Sequence, residues 1–208
     1  GWSVSNIGGD KTESRFDLNG DFWIIKIDSL GNKLWDKVYG GTRYDYLTLI
    51  KQTFDGKHIL GGLTFSDVSG NKTSPHCAGS GTYGDYWLFK IDSVGNILFD
   101  QDYGSVEPDY LMDVDQAADS GYVLSGLITY GANASCQKSE GYITSANGWI
   151  IKTDPLGNKE WDKTIFGPNI SNSSCIALSI GSNCYAIASG SYSSNIGYNT
   201  QPSLGDFD

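Results

Sequence analysis

The sequence predicts an all-β chain, a fragment of a β-propeller built from repeated four-stranded antiparallel blades. Three observations predict it. First, an aromatic-rich phrase recurs along the 208 residues, as "GDFWIIKIDSLGNKLWDKVYGG" from Gly20, "GDYWLFKIDSVGNILFDQDYG" from Gly84 and "NGWIIKTDPLGNKEWDKTIFG" from Asn147. Trp23 to Trp87 is an interval of 64 residues and Trp87 to Trp149 one of 62, and Asp28, Asp92 and Asp154 repeat both steps. A fixed period of this kind marks a repeat architecture in which each copy is one supersecondary unit. Second, runs of about five to eight residues rich in Ile, Leu, Trp, Phe and Tyr are bounded by Gly, Asn or Asp, which is the strand pattern. Third, no segment carries an apolar helical stripe with caps. Four strands per copy, repeated, describe a propeller.

The elements follow in order. "GWSVSN" opens the chain as a strand b, and a long loop runs from Asn6 to Asn19. "DFWIIKID" is strand c; it is apolar on both faces, as burial between two neighbouring sheets requires. "SLGN" is a tight hairpin turn, in which Gly31, Gly95 and Gly157 supply the positive φ in the three copies. "KLWDKVYG" is strand d, and a loop containing "DY" leads to strand a ("LTLIKQT"), the turn "FDGK" and strand b ("HILGGLTF"). This divides one propeller segment, 1–208, into a partial blade at 1–41 (strands b to d), blades at 42–105 and 106–168, and a partial blade at 169–208. About 13 strands result. Joining the two partial ends gives three blades where at least about four are usual, so the chain is expected to be part of a longer protein.

Within the repeat, Trp23, Trp87 and Trp149 are expected in the packing between blades, each burial contributing roughly 1.5–3 kcal/mol or more. Lys26, Lys90 and Lys152 recur two residues before an Asp and are expected to pair with Asp36, Asp100 and Asp162 on strand d. Three copies of a lysine argue for a structural role, because an active site is normally single. In an up-and-down blade the b–c and d–a loops share one end. The b–c loops (Asn6 to Asn19, Ser66 to Gly84, Tyr130 to Asn147, Ser191 to Gly205) are long, Gly/Ser-rich and unlike one another, whereas the a–b and c–d turns are short. The long loops bring His76, Tyr83, Tyr130, Tyr142, Tyr192 and Tyr198, and the d–a loops Arg43, Tyr44, Glu107, Asp109 and Tyr110, to a candidate binding face.

Four cysteines allow three pairings. By this register Cys175 and Cys184 begin the two strands of one hairpin, around 15 Å apart at roughly 3.3 Å per residue, too far for a disulfide, whose Cα atoms lie within about 7 Å. Cys77 and Cys136 lie in successive b–c loops on the same end and are the favoured pair, with Cys136–Cys175 next. The even cysteine count and the Asn-x-Ser/Thr sites at Asn71, Asn133, Asn169 and Asn172 lean towards an exported protein.

The formal charge of −10 and pI near 4.5 argue against nucleic acid and anionic membrane surfaces as partners. No apolar run approaches the roughly 20 residues that span a bilayer. His58 and His76 are the only histidines, and no H-x-x-H or C-x-x-C pattern occurs, so no structural zinc site is expected. No cofactor is expected; calcium among loop carboxylates and carbonyls is the one ion left open.

The strand order resembles the WD-repeat propellers, with "FDGKHILGGL" at the a–b turn and strand b and "DFWIIKID" at strand c, but without the Trp-Asp dipeptide. "IDSLGNKLW" resembles the docking hairpin of quinoprotein propellers, one residue short. The units are most similar to tandem-repeat propellers of secreted and surface proteins of the Bacteroidota, which carry D-[FY]-W-x-x-K-x-D-x-x-G-N and often travel by type IX secretion. That resemblance implies a secreted or cell-surface location. It also implies that Asp28-Ser29-Leu30 and Asp92-Ser93-Val94 match an O-glycosylation sequon, with Ser29 and Ser93 as acceptors. The reading that follows is a non-catalytic module that binds a protein or glycan through its loop face. The alternatives are part of a secreted hydrolase or lyase acting on glycans, with its acids drawn from different blades, and a structural spacer in a large surface protein.

Overall fold

The computed structural model describes residues 1–77, 82–129, 134–141, 146–165, 176–179 and 184–188. Every regular element among them is a strand: β1 (Trp2–Ser3), β2 (Asp21–Ile27), β3 (Lys33–Tyr39), β4 (Asp45–Gln52), β5 (His58–Thr64), β6 (Asp85–Ile91), β7 (Ile97–Tyr103), β8 (Asp109–Gln116), β9 (Tyr122–Thr129), β10 (Ala146–Thr153), β11 (Lys159–Ile165), β12 (Ile176–Ser179) and β13 (Tyr185–Ala188). They form antiparallel sheets in the orders β1-β2-β3, β4-β5-β6-β7, β8-β9-β10-β11 and β12-β13. The first, second and third sheets carry the three copies of the repeated phrase in the same place, as the last two strands of an up-and-down meander.

Each copy's β-hairpin is closed the same way. Asp28, Asp92 and Asp154 accept from the backbone N–H two and four residues on and from the Asn32, Asn96 and Asn158 side chains. Gly31, Gly95 and Gly157 sit at φ of +86°, +82° and +82°, the region open to glycine.

The same hairpins hold one residue the strand count alone does not reveal. Ile27 faces Lys33, but Lys26 faces Trp35, so Leu34 is an extra residue. Leu98 and Glu160 occupy the same position in the second and third sheets. A β-bulge exchanges the faces beyond it, because side chains alternate with period two. Asp36 therefore lies opposite Ile25, on the face of Trp23 and away from Lys26. The expected pairing of Lys26, Lys90 and Lys152 with Asp36, Asp100 and Asp162 is thereby corrected. Lys26 donates to the Ser93 carbonyl at 2.8 Å. Lys90 pairs with Asp55 at 3.0 Å, and Lys152 with Asp119 and Glu160 at 2.7 and 2.9 Å.

The sheets pack face to face. Phe22, Ile24 and Tyr39 of the first sheet meet Leu60, Trp87, Phe89 and Ile91 of the second. From the opposite face of the second sheet, Ile59, Tyr86, Leu88 and Tyr103 meet Leu111, Val114, Leu124, Trp149 and Ile151 of the third. Alternate residues of β6 thus serve two cores, which is why its sequence lacks a polar face. The contacts recur in kind: Phe22 on Trp87 and Tyr86 on Trp149 both have ring centroids 5.2 Å apart. Tyr39 and Tyr103 cross the two interfaces to donate to the carbonyls of Gly95 and Gly157. Trp87 and Trp149 are fully buried as expected. Trp23 is half-buried, on a face that also exposes Ile25 and Ile27.

Candidate binding face

Because of the bulge, the repeated Trp and Asp meet. The indole N–H of Trp23, Trp87 and Trp149 donates to Asp36, Asp100 and Asp162 at 3.0, 3.1 and 3.0 Å. The same carboxylates receive the backbone N–H and hydroxyl of Thr12, Thr73 and Ser139 from the long loops. Burial opposes ionisation of each Asp, and these donors outweigh it, holding all three carboxyls below the usual range. Each of these three long loops is therefore fastened to the middle of its sheet's outer hairpin.

The loops were expected to be unlike one another, and in this the structure differs. Gly8 and Lys11, Ser69 and Lys72, and Ser135 and Lys138 form equivalent short bridges, and the three lysines are buried. Lys11 donates to the Ser5 carbonyl at 2.6 Å, and Lys138 to the Thr164 hydroxyl at 3.0 Å. Lys72 is ion-paired with Asp102 at 2.9 Å. The sequence held the signal: Lys11-Thr12, Lys72-Thr73 and Lys138-Ser139 each stand ahead of one copy of the repeated phrase, masked by loops of unequal length. A second fastening joins the second and third loops to the preceding unit. Asn71 exchanges hydrogen bonds with Gly40 through its backbone N–H and side-chain oxygen, and Gln137 does the same with Gly104.

Beneath the loops lie carboxylates at the starts of strands. Asp21 and Asp85 accept from the N–H of Phe16 and Cys77, both at 2.8 Å. Asp45 and Asp109 accept from Gly41 and Ser105 at 2.8 and 2.6 Å. All four are fully buried, and burial pushes Asp21, Asp45, Asp85 and Asp109 up to about 7, 6, 7 and 8. Gly40 and Gly104 make room for them: a Cβ would come within 2.4 Å of an Asp21 oxygen at the first and 2.2 Å of an Asp85 oxygen at the second.

The disulfide is Cys77–Cys136, with Cα atoms 5.7 Å apart, and it joins the second and third long loops. Cys184 is free and exposed, and Cys175 lies outside the described residues.

Of the residues expected on the face, Arg43 is exposed, as are Tyr44, Tyr83 and Tyr110, while Glu107 is half-buried. Tyr44 stacks on Tyr46 at 5.8 Å, and Trp2 meets Tyr46 edge-on at 5.2 Å, giving an exposed aromatic cluster that the sequence did not single out. Two expectations are corrected. Asp109 points inward, held by the Ser105 N–H and hydroxyl. His76 is buried, with Nδ1 3.4 Å from Asp85. In both cases a polar residue in a loop supports the loop from inside rather than facing solvent. Tyr130, Tyr142, Tyr192 and Tyr198 lie outside the described residues. Ser29 and Ser93 are exposed at the opposite turns. Among the described residues no group of His, Cys, Asp and Glu is placed to hold a metal ion, and no helix is long and apolar enough to cross a membrane. No family model matches this chain, and no curated protein is significantly similar to it.

Proposed function

We propose that this chain is an arc of a secreted or cell-surface β-propeller, divided at 1–41, 42–105, 106–168 and 169–208, that binds a protein or glycan through its long-loop end. The observation that carries the reading is the double fastening of the loops. Thr12, Thr73 and Ser139 tie them to the strand-d carboxylates, and the Cys77–Cys136 bridge ties two of them together. Loops held this firmly present a preorganised surface, which lowers the entropic cost of binding. Arg43, Tyr44 and Tyr110 stand exposed beside them, and Tyr and Arg are the side chains that most often dominate recognition. A disulfide favours an oxidising location. The resemblance to the repeat propellers of the Bacteroidota supports the architecture and the location.

The test compares the two ends of the molecule. The chain is screened on a glycan array and against a panel of extracellular proteins, and each ligand found is retitrated with Arg43→Ala/Tyr44→Ala/Tyr110→Ala and with Ser29→Ala/Leu30→Ala/Ser93→Ala. The expected result is a loss of at least about tenfold in affinity with the first set and none with the second. The opposite pattern, or no ligand in either screen, rejects the loop-face reading.

A further inference from the structure

The second long loop rests on a cluster that the other units lack. Lys72 Nζ is 2.9 Å from Asp102 Oδ2, His76 Nδ1 is 3.4 Å from Asp85 Oδ2, and Asp85 stands close enough to Asp102 to oppose its ionisation. No member is more than 6% exposed. At the equivalent positions the first unit has Lys11, Arg15, Asp21 and Val38. There the arginine turns outward to the carbonyls of Val4 and Leu18, and the valine brings no charge. The third unit has Thr164 where the second has Asp102, and its hydroxyl accepts from Lys138.

The second unit therefore buries one ammonium beside two neighbouring carboxyl groups. Lys72 balances one negative charge. A second, unbalanced negative charge in a dry site costs several kcal/mol, so the site is neutral only while it holds one proton more. These contacts are close but not aligned as hydrogen bonds, and both nitrogens of His76, Oδ1 of Asp85 and both oxygens of Asp102 are left without a well-formed one. The surrounding charges do not remove the imbalance. Asp109 adds negative potential from β8, with Lys138 acting on it in turn. At His76 burial opposes the imidazolium and so does Lys72, while Asp102 and, from within the loop, Asp67 favour it. Asp45 on β4 and Asp67 in the loop also feel Lys72.

We propose that the Lys72–His76–Asp85–Asp102 cluster is a proton-operated latch for the second long loop, closed while one proton is shared among Asp85, Asp102 and His76 and loosened when that proton leaves. The path of the effect is short. Asp85 holds the Cys77 N–H at 2.8 Å, and Cys77 is bonded to Cys136 of the next loop. Loss of the proton leaves the cluster with a net negative charge, and admitting water at the His76 segment relieves it. The closed form binds a proton that the open form, with a carboxyl near its ordinary value of about 4, does not. Opening therefore becomes easier as pH rises and levels off once the closed cluster has itself titrated.

Amide hydrogen exchange on the full chain tests this at Thr73, Ser74, His76 and Cys77, corrected for the intrinsic pH dependence of exchange. In the wild type the opening constant is expected to rise about tenfold per pH unit from pH 5 until the cluster titrates, and then to level off. Asp102→Asn leaves one carboxylate for one ammonium, and the rise at these amides should vanish while the Phe16 amide of the first loop keeps its own profile. A wild-type profile without slope overturns the proposal by itself, whether or not the variant folds. An undiminished slope in Asp102→Asn also overturns it, by placing the proton on another group such as Asp109.

Discussion

Trp23 and Trp87 stand at the same point of the repeat, donate to equivalent carboxylates, Asp36 and Asp100, and differ in what lies across from them. Trp87 is fully buried against Phe22 of the first sheet, whereas Trp23 is half-buried on a face that leaves Ile27 58% exposed. The local hydrogen bonding is thus set within one unit, while the burial energy is set between units. The first of these is the same everywhere and the second depends on the neighbour, which is how repeat architectures divide their stability.

That division predicts the largest effect. Trp87→Ala should destabilise the chain by about 3–5 kcal/mol, the range for deleting a buried aromatic. Trp23→Ala should cost about half as much or less, since its ring is already partly in water. Urea unfolding of both variants at one pH gives the ratio directly. Equal losses would mean that the indole–carboxylate bond, rather than packing between sheets, carries the energy.

The comparison also shows what the sequence could convey. Strand order, the turn glycines and the Cys77–Cys136 pairing were legible because each follows from period, chirality or topology. Lys26 was misassigned because one bulged residue, Leu34, reverses the faces of the hairpin, and nothing in the residue types announces a bulge. His76 and Asp109 looked like surface groups because loop residues usually are; their burial depends on the depth to which the loop folds back over the sheet. The lysine motif at Lys11, Lys72 and Lys138 was present but unread, since the unequal loops hid its spacing.

A second prediction separates two sets of carboxylates by pH. Asp36, Asp100 and Asp162 are ionised more readily in the fold than in the unfolded chain, so their stabilisation is present above about pH 4 and lost as pH falls below it. Asp21, Asp45, Asp85 and Asp109 have raised values, so their contribution is complete below about pH 4 and lost as pH rises through about 6 to 8. Stability should peak in mildly acid solution and fall by several kcal/mol between pH 5 and 8. Denaturant midpoints across that range check it, and a maximum at neutral pH would show that the buried carboxyls are better compensated than their surroundings indicate. Asp45→Asn together with Asp109→Asn should flatten the alkaline side.

The Cys77–Cys136 bridge closes a separation of 59 residues, and its removal in Cys77→Ser/Cys136→Ser should cost about 2–4 kcal/mol. The loss belongs to the second and third units alone. Amide exchange after reduction should accelerate in residues 66–77 and 134–141 and leave residues 8–16 unchanged. Faster exchange in the first loop would mean that the units are coupled more widely than nearest neighbours.

The smallest effect asks whether the two sheet-to-sheet interfaces are equivalent in energy as well as in geometry. Tyr39 donates to Gly95 across the first interface and Tyr103 to Gly157 across the second, both from buried hydroxyls. Burial raises both phenols far above their ordinary value, with Glu13 and Asp92 adding at Tyr39 and Asp154 and Asp102 at Tyr103. Each hydroxyl thus remains a donor throughout the accessible pH range. Removing either with Tyr39→Phe or Tyr103→Phe leaves a turn carbonyl without its partner and should cost about 1 kcal/mol. Near-equal values would show that the interface bond is a property of the repeat. A clearly larger loss at Tyr103 would instead tie it to the neighbouring Asp102, the residue that sets the second unit apart.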